Sequence, residues 1–267
     1  MPIPDPAIPA HRRAPDDSSR ARAVSTHLRR RAITACAATL KIGEIFYSIQ
    51  GEGKLAGVPS AFIRTTGCNL RCTWCDSPYT SWQPRGDSVS LGEILDRVSD
   101  FPTAHVVLTG GEPMLADGVE TLTRMLKESG YHITIETAGT LWKDVACDLA
   151  SISPKLSNST PWEREEGKFA DRHERNRLNI GVIRRFLGFS DHQVKFVIDR
   201  PEDIEEIDAL LSELVELDPE NVLLMPQGVT AEELNERGGW VTELCKKRGF
   251  RFCPRLHIAL YGNVRGT

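Results

Sequence analysis

In GCNLRCTWCDS, Gly67 to Ser77, Cys68, Cys72 and Cys75 follow a Cys-x3-Cys-x2-Cys spacing, so three thiolates can meet on one loop. Zinc closes its structural sites with four tetrahedral ligands, often two Cys-x2-Cys knuckles. This chain has one such pair, so zinc would have to recruit a remote Cys or His. An iron–sulfur cube offers four separate irons, and three thiolates hold it while one iron stays exposed. The amino and carboxylate groups of S-adenosylmethionine suit that open iron. One electron from the cluster would then break the S–C bond and release a 5′-deoxyadenosyl radical, while the protein places the reactants and excludes water. Two readings stand: a catalytic radical centre, or a zinc-stabilised binding module without catalysis.

Other residues fit the first reading. TGGEP, Thr109 to Pro113, ends a strand-like run with Gly110 and Gly111, which permit close backbone approach, and Glu112, which can accept hydrogen bonds from an ammonium. Trp74 either shields a cluster or packs in the core.

The elements that must position these groups alternate along the chain. Runs rich in β-branched and aromatic residues recur at AFIRT (61–65), HVVLTGG (105–111), YHITIET (131–137), CDLASISP (147–154), QVKFVI (193–198), NVLLMP (221–226) and FRFCPRL (250–256). Ser90 with Glu93, and Thr230 with Glu233, have capping-box spacing ahead of helical patterns, and Ile94, Leu95 and Val98 mark the buried face of the first. A strand–helix–strand rhythm predicts a parallel sheet with right-handed crossovers, closed fully or partly as a barrel, with sites at the carboxyl ends of its strands. The polar segment 155–191 is too long for an ordinary connection and predicts a helix from about Phe169 and a second short one. His173 and Arg177 within it read as a helix-face pair outside catalysis.

The formal net charge is −4 over 267 residues, and residues 1–40 carry seven arginines against three acids, which leaves −8 for the remainder. An acidic catalytic portion argues against a phosphate-gripping nucleic-acid enzyme. The Pro/Arg-rich leader, residues 1–40, predicts disorder, with an organellar transit peptide as the alternative. No apolar run is long enough for a membrane span. Seven cysteines, three of them clustered, do not form a disulfide pattern and fit a reducing cytoplasm; Cys147, Cys245 and Cys253 read as small buried hydrophobes.

Taken in order, EIFYSIQGEG (44–53), AFIRTTGCNLRCTWCDS (61–77), LTGGEP, SPK, LMPQG (224–228) and LHIALYGNVRG (256–266) resemble the 7-carboxy-7-deazaguanine synthase family of the radical S-adenosylmethionine superfamily. The resemblance implies an α/β fold, a partial (β/α)6-type TIM barrel with an extra helical insertion, as one catalytic domain over residues 41–267. It implies a carbon–nitrogen lyase that contracts the ring of 6-carboxy-5,6,7,8-tetrahydropterin to 7-carboxy-7-deazaguanine with loss of ammonia, in queuosine biosynthesis. A [4Fe-4S] cluster on Cys68, Cys72 and Cys75, S-adenosylmethionine and Mg2+ are the implied cofactors, with Ser77 where a threonine hydroxyl is more familiar as the magnesium ligand. The implied S-adenosylmethionine site is Trp74, Cys75, Asp76, Gly110, Gly111, Glu112, Glu136 (toward the ribose), Ser153, Pro154, Lys155, Pro226 and Gln227. The implied pterin site is Ile49, Gln50, Gly51, Glu52, Arg64, Thr109, His257 and Thr267. Implied partners are the pterin, a one-electron reductant such as a flavodoxin and a second copy of the chain, with neither nucleic acid nor membrane. A glycyl-radical-enzyme activase would share the cysteine loop and GGEP without needing the QGEG, SPK and GNVRG elements.

Overall fold

Each of the seven β-rich runs contains a strand, and all seven strands lie parallel in one sheet. The structure, a computed structural model, describes residues 38–189 and 191–267. The expectation of a disordered leader, with Cys36, falls on residues outside those described, apart from its last three positions. Thr39 and Leu40 already belong to the first strand, so the fold starts before residue 41.

The strands are β1 (Thr39–Ile49), β2 (Pro59–Thr65), β3 (Asp87–Ser90), β4 (His105–Gly110), β5 (His132–Thr137), β6 (Leu149–Ile152), β7 (His192–Ile198), β8 (Val222–Pro226) and β9 (Arg251–Phe252). Their spatial order is β3-β1-β2-β4-β5-β6-β7-β8-β9. From β2 to β9 every pairing is parallel, whereas β1 runs antiparallel to both β2 and β3. The edge strands β3 and β9 do not pair with each other, so the barrel is partial.

The helices are α1 (Pro78–Ser81), α2 (Leu91–Ser99), α3 (Val119–Glu128), α4 (Ala170–Asn176), α5 (Ile180–Leu187), α6 (Asp203–Glu213), α7 (Ala231–Arg248) and α8 (Leu256–Tyr261). Of these, α2, α3, α5, α6 and α7 pack on the main core outside the sheet, whereas α1 and α8 border the barrel interior. Ser90 caps α2 by accepting from the Glu93 amide at 3.2 Å, and Thr230 and Glu233 form a reciprocal capping box on α7. The insertion supplies α4 and α5, the two helices expected there.

Period-two alternation sorts the strand residues. Ile63, Val106, Leu108, Ile133, Ile135, Val194, Phe196, Val222 and Leu224 belong to the main core, which also takes Ile94 and Val98 of α2, Leu122 and Leu126 of α3, Phe186 of α5 and Val241 of α7. The intervening positions point into the barrel. Strand register aligns Arg64 with Thr109, and Glu136 with Ser151 and Gln193, so polar groups ring the interior.

Candidate active site

The interior opens as a cavity of about 320 Å³ whose walls include the cysteine loop, the inward strand residues and the C-terminal tail. Its polar wall starts from the strands. Glu136 accepts from Thr109 Oγ1 at 2.8 Å and from Gln50 Nε2 at 3.0 Å. Glu136 is thus hydrogen-bonded to two residues of the expected pterin side and keeps further acceptor capacity on the cavity wall. Arg64 donates through Nε to Glu44 Oε1 at 2.7 Å, and Glu44 also accepts from the Tyr79 hydroxyl at 2.6 Å and from Arg265 Nε at 3.0 Å. No other hydrogen bond from the Arg64 side chain occurs among the described residues, so its terminal nitrogens are uncommitted and the residue lines the cavity.

The QGEG loop supplies the floor. Because β1 runs antiparallel to β2, this loop leaves the sheet at the amino ends of the parallel strands, opposite the end where sites were expected. The Lys54 amide donates to Gln193 Oε1 at 2.8 Å, Lys54 Nζ donates to His192 O at 2.8 Å, and the Gly53 amide lies 3.2 Å from Cys253 Sγ. Glu52 pairs with Lys195 of β7 and, at 3.1 Å, with Arg255 Nε; Arg255 in turn pairs with Asp76 and donates to Gly228 O at 2.6 Å. Burial works against ionisation of Glu52, but the two cations more than offset it and hold the carboxyl well below the usual range. Gly51 faces His257 so closely that a Cβ there would lie 1.9 Å from Nδ1, so this glycine makes room for a side chain of the protein itself. Burial lowers the pKa of His257, which favours the neutral imidazole.

The cysteine loop forms the opposite wall. Cys68, Cys72 and Cys75 are free thiols and all line the cavity. Cys68 and Cys75 pack against Cys72, Leu70 and Ala138, so the three thiols share one patch of that wall. Three thiols on one wall suit a cluster that offers each sulfur a separate iron. Burial pushes the Cys68 thiol up to about 11 and Cys72 further up, so binding a metal here releases protons. Trp74 packs beside Leu70, Cys72 and Ala138 on the cavity wall and donates from Nε1 to Asn158 O at 3.1 Å.

Three expected residues do not line the cavity: Glu112, Pro154 and Pro226. Glu112 is fully buried and accepts from Thr137 Oγ1 at 2.8 Å, the Ala138 amide at 2.9 Å and the Met114 amide at 3.1 Å. It clips the end of β4 to the end of β5 and has no carboxylate face turned toward a ligand. Prolines 154 and 226 sit at strand ends whose neighbours Ser153, Lys155 and Gln227 do reach the cavity, and Lys155 Nζ folds back on Ser153 Oγ at 2.8 Å. Gly110 and Gly111 reach it too. A Cβ at Gly111 would lie 2.3 Å from Gly67 O and 2.8 Å from Cys68 Cβ, so this glycine seats the cysteine loop. Ile49, Asp76, Ser77 and Thr267 complete the expected set on the cavity wall.

Sequence reasoning did not single out Lys195, Arg255, Glu44, Tyr79 or Arg265, all of which line the cavity. A signal existed for Lys195, since a lysine inside the apolar run QVKFVI needs a buried anion. Arg255 stands two positions before His257 in RLH, where it reads locally as ordinary helix-start polarity.

Residues 62–156 match the model of the Radical SAM superfamily. The chain is 45% identical over 238 residues to a 7-carboxy-7-deazaguanine synthase of Halobacterium salinarum, covering 85% of this chain and 93% of that one. It is 43% identical over 234 residues to the namesake of Rhodopirellula baltica, covering 87% and 91%. A crystal structure of QueE from Escherichia coli superposes with a TM-score of 0.61 at 27% identity, covering 82% of this chain and 95% of that one. With a partial barrel, three free thiols on one wall of its cavity and full-length relatives at this identity, the chain belongs to the 7-carboxy-7-deazaguanine synthase family of the radical S-adenosylmethionine superfamily.

Proposed function

We propose that this chain catalyses the ring contraction of 6-carboxy-5,6,7,8-tetrahydropterin to 7-carboxy-7-deazaguanine, with loss of ammonia, as a carbon–nitrogen lyase of queuosine biosynthesis. The observation that carries the reading is one cavity with three free thiols on one wall and a ring of inward polar residues on the other. Cys68, Cys72 and Cys75 would hold the [4Fe-4S] cluster, and Trp74, Asp76, Gly110, Gly111, Ser153, Lys155 and Gln227 would surround S-adenosylmethionine. When bound, the pair supplies one-electron cleavage of a carbon–sulfur bond and with it a hydrogen-abstracting radical.

The remaining work belongs to the chain's own side chains. Arg64, fixed through Nε by Glu44, turns its terminal nitrogens to the pterin carboxylate as a planar fork. Gln50, Thr109 and Glu136 form one hydrogen-bonded unit that presents donors and acceptors to the 2-amino-4-oxo edge. Neutral His257 borders the same space above the Glu52–Lys195–Arg255 floor. Leu70, Trp74, Val197 and Met225 supply the apolar wall that keeps water away from the reacting carbon. For Mg2+, Ser77 offers one hydroxyl, 3.1 Å from Asp76 Oδ1, a donor set that fits an ion held mainly by substrate and water. No helix of the described residues is long and apolar enough to cross a membrane, and the six described cysteines are all free, which supports a reducing, cytoplasmic setting. A second copy of the chain and a one-electron reductant such as a flavodoxin complete the proposal.

Reconstituted under exclusion of air, the protein is expected to form 7-carboxy-7-deazaguanine from the carboxypterin, detected by mass, with a rate that responds to added magnesium. Cys72→Ala should abolish turnover; full activity in that variant, or a colourless wild type holding a single zinc, would overturn the assignment.

A further inference from the structure

The insertion 155–191 grips the cysteine loop at several places. The Thr73 amide donates to Ser159 O at 2.8 Å, Arg164 donates to Thr73 O at 2.9 Å, and Trp74 reaches Asn158 O. The fourth contact is of another kind: the amide of Arg71, the residue immediately before Cys72, donates to Nδ1 of His173 at 3.1 Å. His173 is 1% exposed, and its Nε2 lies 2.9 Å from Ser159 Oγ, whose own hydroxyl donates to Leu156 O at 2.6 Å. Since that hydroxyl proton is committed, Ser159 Oγ accepts from Nε2–H, and the tautomer leaves the Nδ1 lone pair to Arg71.

A backbone donor of this loop lies within reach of sulfur: the adjacent Leu70 amide is 3.4 Å from Cys68 Sγ. Hydrogen bonds to cluster sulfurs stabilise the added electron and raise the reduction potential. A cluster that must pass an electron to a sulfonium needs the opposite. We propose that His173 is a positioning residue that holds the Arg71 N–H off the cluster sulfurs and thereby keeps the cluster strongly reducing. This rests on the reading of Cys68, Cys72 and Cys75 as cluster ligands.

The test is a redox titration, followed by electron paramagnetic resonance, of reconstituted wild type, His173→Leu, His173→Gln and Ser159→Ala, with iron counted in each. His173→Leu should shift the midpoint upward by about a tenfold change in the reduced-to-oxidised ratio, roughly 59 mV for a one-electron couple. His173→Gln, whose amide oxygen can accept the same N–H, should stay near wild type. Turnover in the leucine variant should fall while KM for the pterin holds. An unchanged potential in iron-replete His173→Leu overturns the proposal. Where that variant does not fold, Ser159→Ala, which frees the imidazole to turn, decides in the same way: a raised potential supports the proposal and an unchanged one overturns it. Wild type that takes up no iron would sink the underlying cluster reading instead, and its lack of colour shows this before any variant is made.

Discussion

At the scale of single residues, the floor of the cavity is held by charge. Lys195 and Arg255 are both buried, and the ion pair of Lys195 is with Glu52 alone among the described residues. Removing one member of such a buried set leaves its partner uncompensated, which typically costs about 3–5 kcal/mol. Glu52→Gln should therefore lower the urea midpoint sharply, and adding Lys195→Met should restore much of the loss, since the stranded ammonium is then gone. The same carboxyl sets a pH dependence. Its folded pKa lies below the ordinary value of 4.5, so the unfolded chain binds the proton first. The stability that Glu52 contributes is complete above about pH 4.5 and drains away as the pH falls toward the folded value. Urea midpoints between pH 7 and pH 3 should show this slope in wild type and a shallower one in Glu52→Gln. Much of the ring above the floor was legible residue by residue, because Gln50, Arg64, Thr109 and Glu136 sit in short motifs. Glu112 was misplaced because an acidic side chain after two glycines looks the same in sequence whether it meets a ligand or three protein donors.

At the scale of elements, the cysteine loop depends on what it rests upon. The end of β4 approaches it so closely that Gly111 has no room for a methyl group. Gly111→Ala should force the loop away from β4, cost about 1–3 kcal/mol through overpacking and reduce the iron retained per chain, measured by melting and by iron assay. An unchanged iron count would show that the loop adapts freely. The strands and the two insertion helices could be read from β-branched runs and capping residues, since those signals are local. β1 and β3 could not. In EIFYSIQGEG the glycines and the active-site motif obscure an eleven-residue strand, and its antiparallel direction is fixed by its partner β2, not by its own residues.

At the scale of the molecule, the last residues of the chain return to its first strand. Arg265 pairs with Glu44, donates to Gly43 O at 2.6 Å and stacks over Tyr79, which places the tail from Asn263 to Thr267 against the cavity. The Arg265 side chain is 56% exposed, so this clasp is weak and screened by salt. Arg265→Ala should leave the melting temperature within about a degree or two of wild type yet raise KM for the pterin. The wild-type KM should climb with ionic strength while that of the variant stays flat; parallel salt curves would remove the tail from the site. That the tail reaches the site was implied by the resemblance, which put Thr267 there; its anchor was not legible, because neither Glu44 nor Arg265 carries a local sign of the other.

The unjoined edges of the sheet carry a further consequence. Between the loop that follows β1 and the β7–β9 side the molecule has a seam stitched mainly by the side chains of Lys54, Glu52, Lys195 and Arg255, with one peptide hydrogen bond from the Leu256 amide to Gly51 O at 2.9 Å. Side-chain stitches can lengthen without unpairing a strand. Parting the molecule at this seam would therefore break ion pairs while every strand of the sheet keeps its partners.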